Sequence, residues 1–151
     1  MYKALIIEDE KPAAEHLLRL INQVDIKIEI IRIISSVDEA LVWFENNPLP
    51  DLIFLDIQLS DGLSFEIFNH INIRCPVIFT TAYEEYAIKA FKVNSIDYLL
   101  KPIGIDDLKY AIDQFTSINH KLKDTYNQTI SYKVDQVMKV LTQNYKSRFV
   151  I

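Results

Sequence analysis

Five times before Lys121, a short apolar run is followed by a longer segment with helical spacing. The runs are Ala4–Ile7, Ile28–Ile34, Leu52–Leu55, Val77–Thr80 and Ile96–Leu100. Each is too short for a buried helix, and most lack the alternation of a strand with one wet face. The intervening segments differ. Pro12–Ile21 places Ala13, Leu17, Leu18 and Ile21 on one side, with Pro12 suited to a first turn. Ser36–Asn46 carries Leu41, Val42 and Phe44 on an apolar side, with Ser36 as its N-cap. Leu63–Ile71, Tyr83–Phe91 and Asp106–Lys121 follow, the last with Leu108, Ala111, Ile112, Phe115 and Ile118 at helical spacing. Pro48, Pro50, Asp61-Gly62 and Pro76 mark breaks between elements. Buried strands alternating with helices predict a five-stranded parallel sheet covered on both faces. Right-handed crossovers make it a doubly wound α/β sandwich. Ligands of such sheets sit beyond the carboxyl ends of the strands, where strand order reverses.

Composition narrows the chemistry. The 151 residues fit one domain and an appendage, and half of them are hydrophobic. The net charge is −5, with no Lys/Arg-rich stretch, which argues against phosphate-backbone contacts by these residues. Gly62 and Gly104 are the only glycines, too few for a P-loop or a GxGxxG turn. Cys75 has no second cysteine to pair with and suits a boundary position before Pro76. His16, His70 and His120 are scattered, so helix-surface roles are expected rather than a histidine metal site. No apolar run approaches the ~20 residues of a membrane span, and no signal pattern follows Met1. A cytoplasmic location is expected.

The strand ends carry the reactive groups. The first strand runs into Glu8-Asp9-Glu10, the third into Asp56, the fourth into Thr80-Thr81-Ala82 and the fifth into Lys101-Pro102. The second ends at Ser35-Ser36, in an outer position. Taken singly, an acid after a strand is an ordinary solvated or capping residue. Gathered on one sheet edge, clustered carboxylates raise one another's proton affinity unless a cation intervenes. Oxygen ligands suit a hard ion such as Mg²⁺. A carboxylate held by a metal and by Lys101 can act as nucleophile toward a phosphoryl group, with a threonine hydroxyl bonding one of the transferring oxygens.

The segments Ile6-Ile7-Glu8-Asp9-Glu10, Phe54-Leu55-Asp56, Thr80-Thr81-Ala82 and Asp97-Tyr98-Leu99-Leu100-Lys101-Pro102 closely resemble the receiver domain of two-component response regulators. The stretch FTTAYEEYAIKAFKVNSIDYLLKP is similar to the subfamily with a LytTR (LytR/AlgR-type) DNA-binding domain, and the closing YKSRFVI resembles that domain's linker and first strand. The resemblance implies a flavodoxin-like (βα)5 receiver over residues 1–122, strand order 2-1-3-4-5. It also implies a linker over 123–151, where Val134, Val137, Met138 and Leu141 keep helical spacing, leading into a missing DNA-binding domain. It casts Asp56 as phosphoacceptor from a histidine kinase. Asp9 and Asp56 become direct Mg²⁺ ligands, with Glu8 acting through water and the Gln58 backbone carbonyl completing the set. The family commonly has two aspartates where Glu8 and Asp9 stand. Thr81 becomes the switch hydroxyl, Tyr98 the switch aromatic, and Lys101 the phosphoryl contact, with a cis Lys101–Pro102 bond. Gln58 and Tyr83 flank the phosphoryl group and modulate its hydrolysis. A homodimer through the fourth helix, fifth strand and fifth helix is implied, with Tyr83, Tyr86, Phe91, Tyr98 and Tyr110 in or near that face.

Three other functions share parts of this pattern. A haloacid-dehalogenase-like phosphatase needs a second aspartate two residues after its nucleophile, where Gln58 stands. A flavodoxin-like electron carrier needs a phosphate loop where Glu8-Asp9-Glu10 would repel the phosphate. A pseudo-receiver has no use for the full set of Glu8, Asp9, Asp56, Thr81 and Lys101.

Overall fold

The structure, a computed structural model, describes residues 1–82 and 98–121, with side chains through Ser117. The described elements are β1 (Tyr2–Ile7), α1 (Lys11–Gln23), β2 (Ile28–Ile34), α2 (Val37–Asn46), β3 (Leu52–Asp56), β4 (Gln58–Leu59), β5 (Gly62–Leu63), α3 (Glu66–His70), β6 (Val77–Thr81), β7 (Tyr98–Leu100) and α4 (Ile105–Lys121). Five strands form one sheet in the order β2-β1-β3-β6-β7, all pairs parallel, and β4 and β5 form a separate antiparallel hairpin. With the hairpin set aside, this is the 2-1-3-4-5 doubly wound order.

Every residue of β3 and β6 is buried, so both faces of these strands need a covering layer. The period of two along a strand divides them. Ile53, Leu55, Val77 and Phe79 pack with Val37, Ala40 and Phe44 of α2 and with Ile67 of α3. Leu52, Phe54 and Ile78 pack on the other side with Ala14, Leu17 and Ile21 of α1 and with Leu108, Ile112 and Phe115 of α4. Two apolar cores thus clamp the sheet and fix the height of its strand ends. In register, Ile7 lies beside Leu55, Asp56 beside Thr80, and Thr81 beside Leu100. The β1–β2 register slips between Ala4 and Leu5, whose partners are Ile30 and Arg32, leaving Ile31 as the extra residue.

Most element boundaries agree with the sequence reading to within two residues, and three points differ. The helix expected over Leu63–Ile71 is confined to Glu66–His70. Gln58 and Leu59 are not a loop: they pair with Leu63 and Gly62, so Leu63 belongs to the hairpin. Gly62 has φ of 143°, a conformation that side-chain-bearing residues rarely adopt, which suits the tight return. Val42 is 59% exposed rather than core-facing, and Val37, Ala40 and Phe44 form the buried stripe of α2 instead. Ser36 does cap α2, accepting the Glu39 N–H at 3.0 Å, while Glu39 accepts the Ser35 N–H at 3.2 Å. That exchange follows the logic of a capping box. The helix expected over Tyr83–Phe91, the first residues of the fifth strand and the 123–151 tail lie outside the described residues. Among the described residues, no helix is long and apolar enough to cross a membrane.

Phe54 is 1% exposed and fills the α1–α4 side of the sheet's middle strand. Phe54→Ala should lower unfolding free energy by about 3–5 kcal/mol. Urea denaturation measures this, and a loss below ~1 kcal/mol contradicts the two-core packing.

Candidate functional site

The parallel order brings the ends of β1, β3, β6 and β7 side by side. β1 leads into Glu8, whose N–H donates to the Ile34 carbonyl at 2.8 Å, so the acidic turn leaves the sheet in a fixed direction. β3 ends at Asp56 itself, and the next N–H, of Ile57, bonds the Thr80 carbonyl at 3.1 Å. Lys101 follows β7, and its N–H bonds the Thr81 carbonyl at 2.8 Å. The Lys101–Pro102 peptide is cis. Two residues on, the Ile103 carbonyl accepts a hydrogen bond from His16 Nε2 at 2.9 Å, tying the Lys101 turn to α1.

The side chains converge on one ammonium. Lys101 Nζ lies 2.5 Å from Glu8 Oε1, 3.0 Å from Asp56 Oδ2 and 3.8 Å from Glu10 Oε1. Glu8 and Asp56 are each only 5% exposed. Their second oxygens accept backbone N–H groups, Glu8 from Glu10 at 3.1 Å and Asp56 from Gln58 at a long 3.4 Å. Thr80 and Thr81 are buried beside them, and Tyr98 is half-buried against Phe79 in the neighbouring strand.

Four carboxylates, those of Glu8, Asp9, Glu10 and Asp56, face this single cation, and the imbalance is visible in their proton affinities. Burial pushes Glu8 above its ordinary 4.5, and the nearby Asp56 adds to this against the pull of Lys101. Burial, then Glu8, pushes Asp9 above 3.8. Burial alone would lower Lys101, but its bonds to Glu8 and Asp56 outweigh it and hold the ammonium above 10.5. Further positive charge would therefore be welcome here. Glu8, Asp9 and Glu10 each offer a carboxylate oxygen, all within 4.8 Å of one another. An all-oxygen, anionic donor set fits a hard divalent cation such as Mg²⁺.

Of the residues singled out in the sequence, Glu8, Asp56 and Lys101 are in direct contact, Asp9 adjoins them, and Thr81 and Gln58 flank them through their main chains. Tyr83 lies outside the described residues. Two residues do more than the sequence alone implies. Glu10, a strand-end acid outside the implied ligand set, joins both the acidic group and the rim of the Lys101 contact. His16, expected on a helix surface, bonds a carbonyl 87 residues away, a contact that only the sheet order reveals.

The chain matches the response regulator receiver domain over residues 4–113. It is 42% identical over 118 residues to the sensory transduction protein LytT of Bacillus anthracis, covering 76% of this chain and 47% of that protein. It is 31% identical to the transcriptional regulatory protein LytR of Staphylococcus aureus (strain N315), covering 93% of this chain and 62% of that one. The chain thus spans about half the length of these curated relatives. Among solved structures, the response regulatory domain of mrkE from Klebsiella pneumoniae superposes with a TM-score of 0.64 at 29% identity, over 76% of this chain and 95% of that one.

The raised affinity of Asp9 for its proton has a sign that can be measured. The folded state binds this proton more tightly than the unfolded chain, so ionisation costs stability as pH rises through the folded value. In metal-free buffer near pH 7, Asp9→Asn should therefore show a higher urea midpoint than the wild type. The gap should close as pH falls below 3.8, where both chains are neutral at this position. An equal or lower midpoint near neutrality contradicts the electrostatic picture.

Proposed function

This chain belongs to the response regulator receiver family, and from that premise we propose that Asp56 accepts a phosphoryl group from the phosphohistidine of a sensor histidine kinase. The carrying observation is the contact of Lys101 Nζ with both Asp56 and Glu8 at the strand ends. An Asp56 oxygen attacks phosphorus, the P–N bond breaks, and its electron pair stays on the imidazole nitrogen of the kinase. Lys101 keeps its proton throughout and draws negative charge from the phosphoryl oxygens. Glu8, Asp9 and Asp56, with the Gln58 carbonyl, would hold Mg²⁺, and Glu10 stands at the rim of that set. When bound, the ion neutralises charge on the transferring oxygens. Glu8 contributes mainly through water.

The phosphorylated side chain carries more charge and three strong acceptors. The Thr81 hydroxyl turns to bond it, and Tyr98 rotates into the space Thr81 leaves. A face that includes β7 and α4 then favours a second copy of the chain, and the resemblance assigns the Tyr83–Phe91 segment to that same interface. Leu100, 47% exposed, and Tyr110, 65% exposed, support that reading of the surface. Gln58 and Tyr83 tune water access to the phosphoryl group. Residues 123–151 are read as a linker that joins this receiver to a LytTR-type DNA-binding domain, a reading supported by likeness to a relative named as a transcriptional regulatory protein. DNA contact and transcriptional control belong to that domain.

The test is incubation with Mg²⁺ and acetyl phosphate, read as intact mass beside Asp56→Asn. The expected result is one added phosphoryl group in the wild type and none in the variant. An unmodified wild type sinks the phosphoacceptor reading in favour of a pseudo-receiver, and steady turnover of phosphate esters would make the chain a phosphatase.

A further inference from the structure

Asp61 lies at the tip of the β4–β5 hairpin, three residues after Gln58. Its Oδ1 accepts the Val37 N–H at 2.9 Å and its Oδ2 accepts the Asp38 N–H at 3.1 Å. Those are the first two N–H groups of α2, which no carbonyl within the helix can satisfy. Ser36 Oγ takes the Glu39 N–H from the helix's own chain. The start of α2 is thus closed from two sides, once by its own cap and once by a carboxylate 23 and 24 residues further along. Burial would raise the Asp61 affinity for a proton, but the N–H groups of Val37 and Asp38 more than offset it and keep the carboxylate charged.

The hairpin needs such an anchor. It has only two paired positions, Gln58 with Leu63 and Leu59 with Gly62, and so small a hairpin is not stable by itself. At its base, Ile57 exchanges bonds with the Thr80 carbonyl and the Ser64 N–H, at 3.1 and 2.8 Å. Leu59 is buried and pins one side chain. The tip is held by Asp61. Between base and tip lies the Gln58 main chain, whose N–H faces Asp56 Oδ1. We propose that Asp61 is a positioning residue for the acidic pocket. By clasping the α2 N-terminus it fixes the Gln58 main chain against Asp56 and so sets the affinity of the pocket for a divalent cation. This rests on the reading of that pocket given above.

Isothermal titration of Mg²⁺ into the wild type, Asp61→Ala, Asp61→Asn, Ser36→Ala and Asp56→Asn tests it, with thermal unfolding of each. Asp61→Ala should weaken Mg²⁺ binding about tenfold, the size expected when a residue behind a metal ligand is lost. Asp61→Asn keeps one acceptor oxygen and should fall between. Ser36→Ala uncaps the same helix without touching the hairpin. It should lower stability comparably yet leave the Mg²⁺ affinity within about twofold of wild type. Wild-type affinity in Asp61→Ala overturns the proposal, as does an equal weakening in Ser36→Ala, which would reduce the effect to helix destabilisation. Should Asp61→Ala not fold, Asp61→Asn decides, and wild-type affinity there overturns the proposal. A wild type that binds no Mg²⁺, or binds it equally in Asp56→Asn, overturns the reading of the pocket itself.

Discussion

One ammonium group, Nζ of Lys101, stands against two buried carboxylates on neighbouring strand ends, and the rest of the site is arranged around it. Glu8 and Asp56 would not tolerate burial side by side without a cation between them. Lys101 arrives from the edge strand β7, 45 residues after Asp56. Its position depends on three things: pairing of β7 with β6, the bond from its own N–H to the Thr81 carbonyl, and the His16 bond to Ile103. The site is therefore a product of the whole sheet rather than of a local motif.

The same contact explains why the pocket is both stable and unfinished. Lys101 satisfies one oxygen each of Glu8 and Asp56, but one positive charge cannot balance these two acids together with Asp9 and Glu10. The imbalance shows in the proton affinities of Glu8 and Asp9, which burial and mutual repulsion raise. The two cores that clamp β3 and β6 hold the strand ends that bring these acids together. Such a pocket favours the entry of a divalent cation, whose charge would offset the carboxylates. The Asp61 clasp ties the β4–β5 hairpin that follows Asp56 to the start of α2.

Much of this was legible in the sequence, for reasons that individual residues make plain. The apolar runs ending in Glu8, Asp56 and Lys101 are long enough to specify strands, and parallel order then gathers their ends. The helical spacing of its neighbours predicts a helix at Leu63. The hairpin that claims it depends on pairing with Gln58 and on the left-handed backbone of Gly62, neither of which leaves a periodic signal. The apolar neighbours of Val42 predict a core position, although the turn of α2 points it outward. His16 and Asp61 make their contacts across 87 and 24 residues, and a single sequence holds no trace of such pairings.

The central claim is that Lys101 serves as the pocket's built-in counter-ion and shares its acids with any divalent cation that binds. The most direct measurement is the Mg²⁺ affinity of Lys101→Met against the wild type, by isothermal titration at fixed ionic strength. Removal of the ammonium leaves Glu8, Asp9, Glu10 and Asp56 uncompensated, so the account predicts tighter Mg²⁺ binding in the variant. Unchanged or weaker binding by a folded Lys101→Met would contradict it.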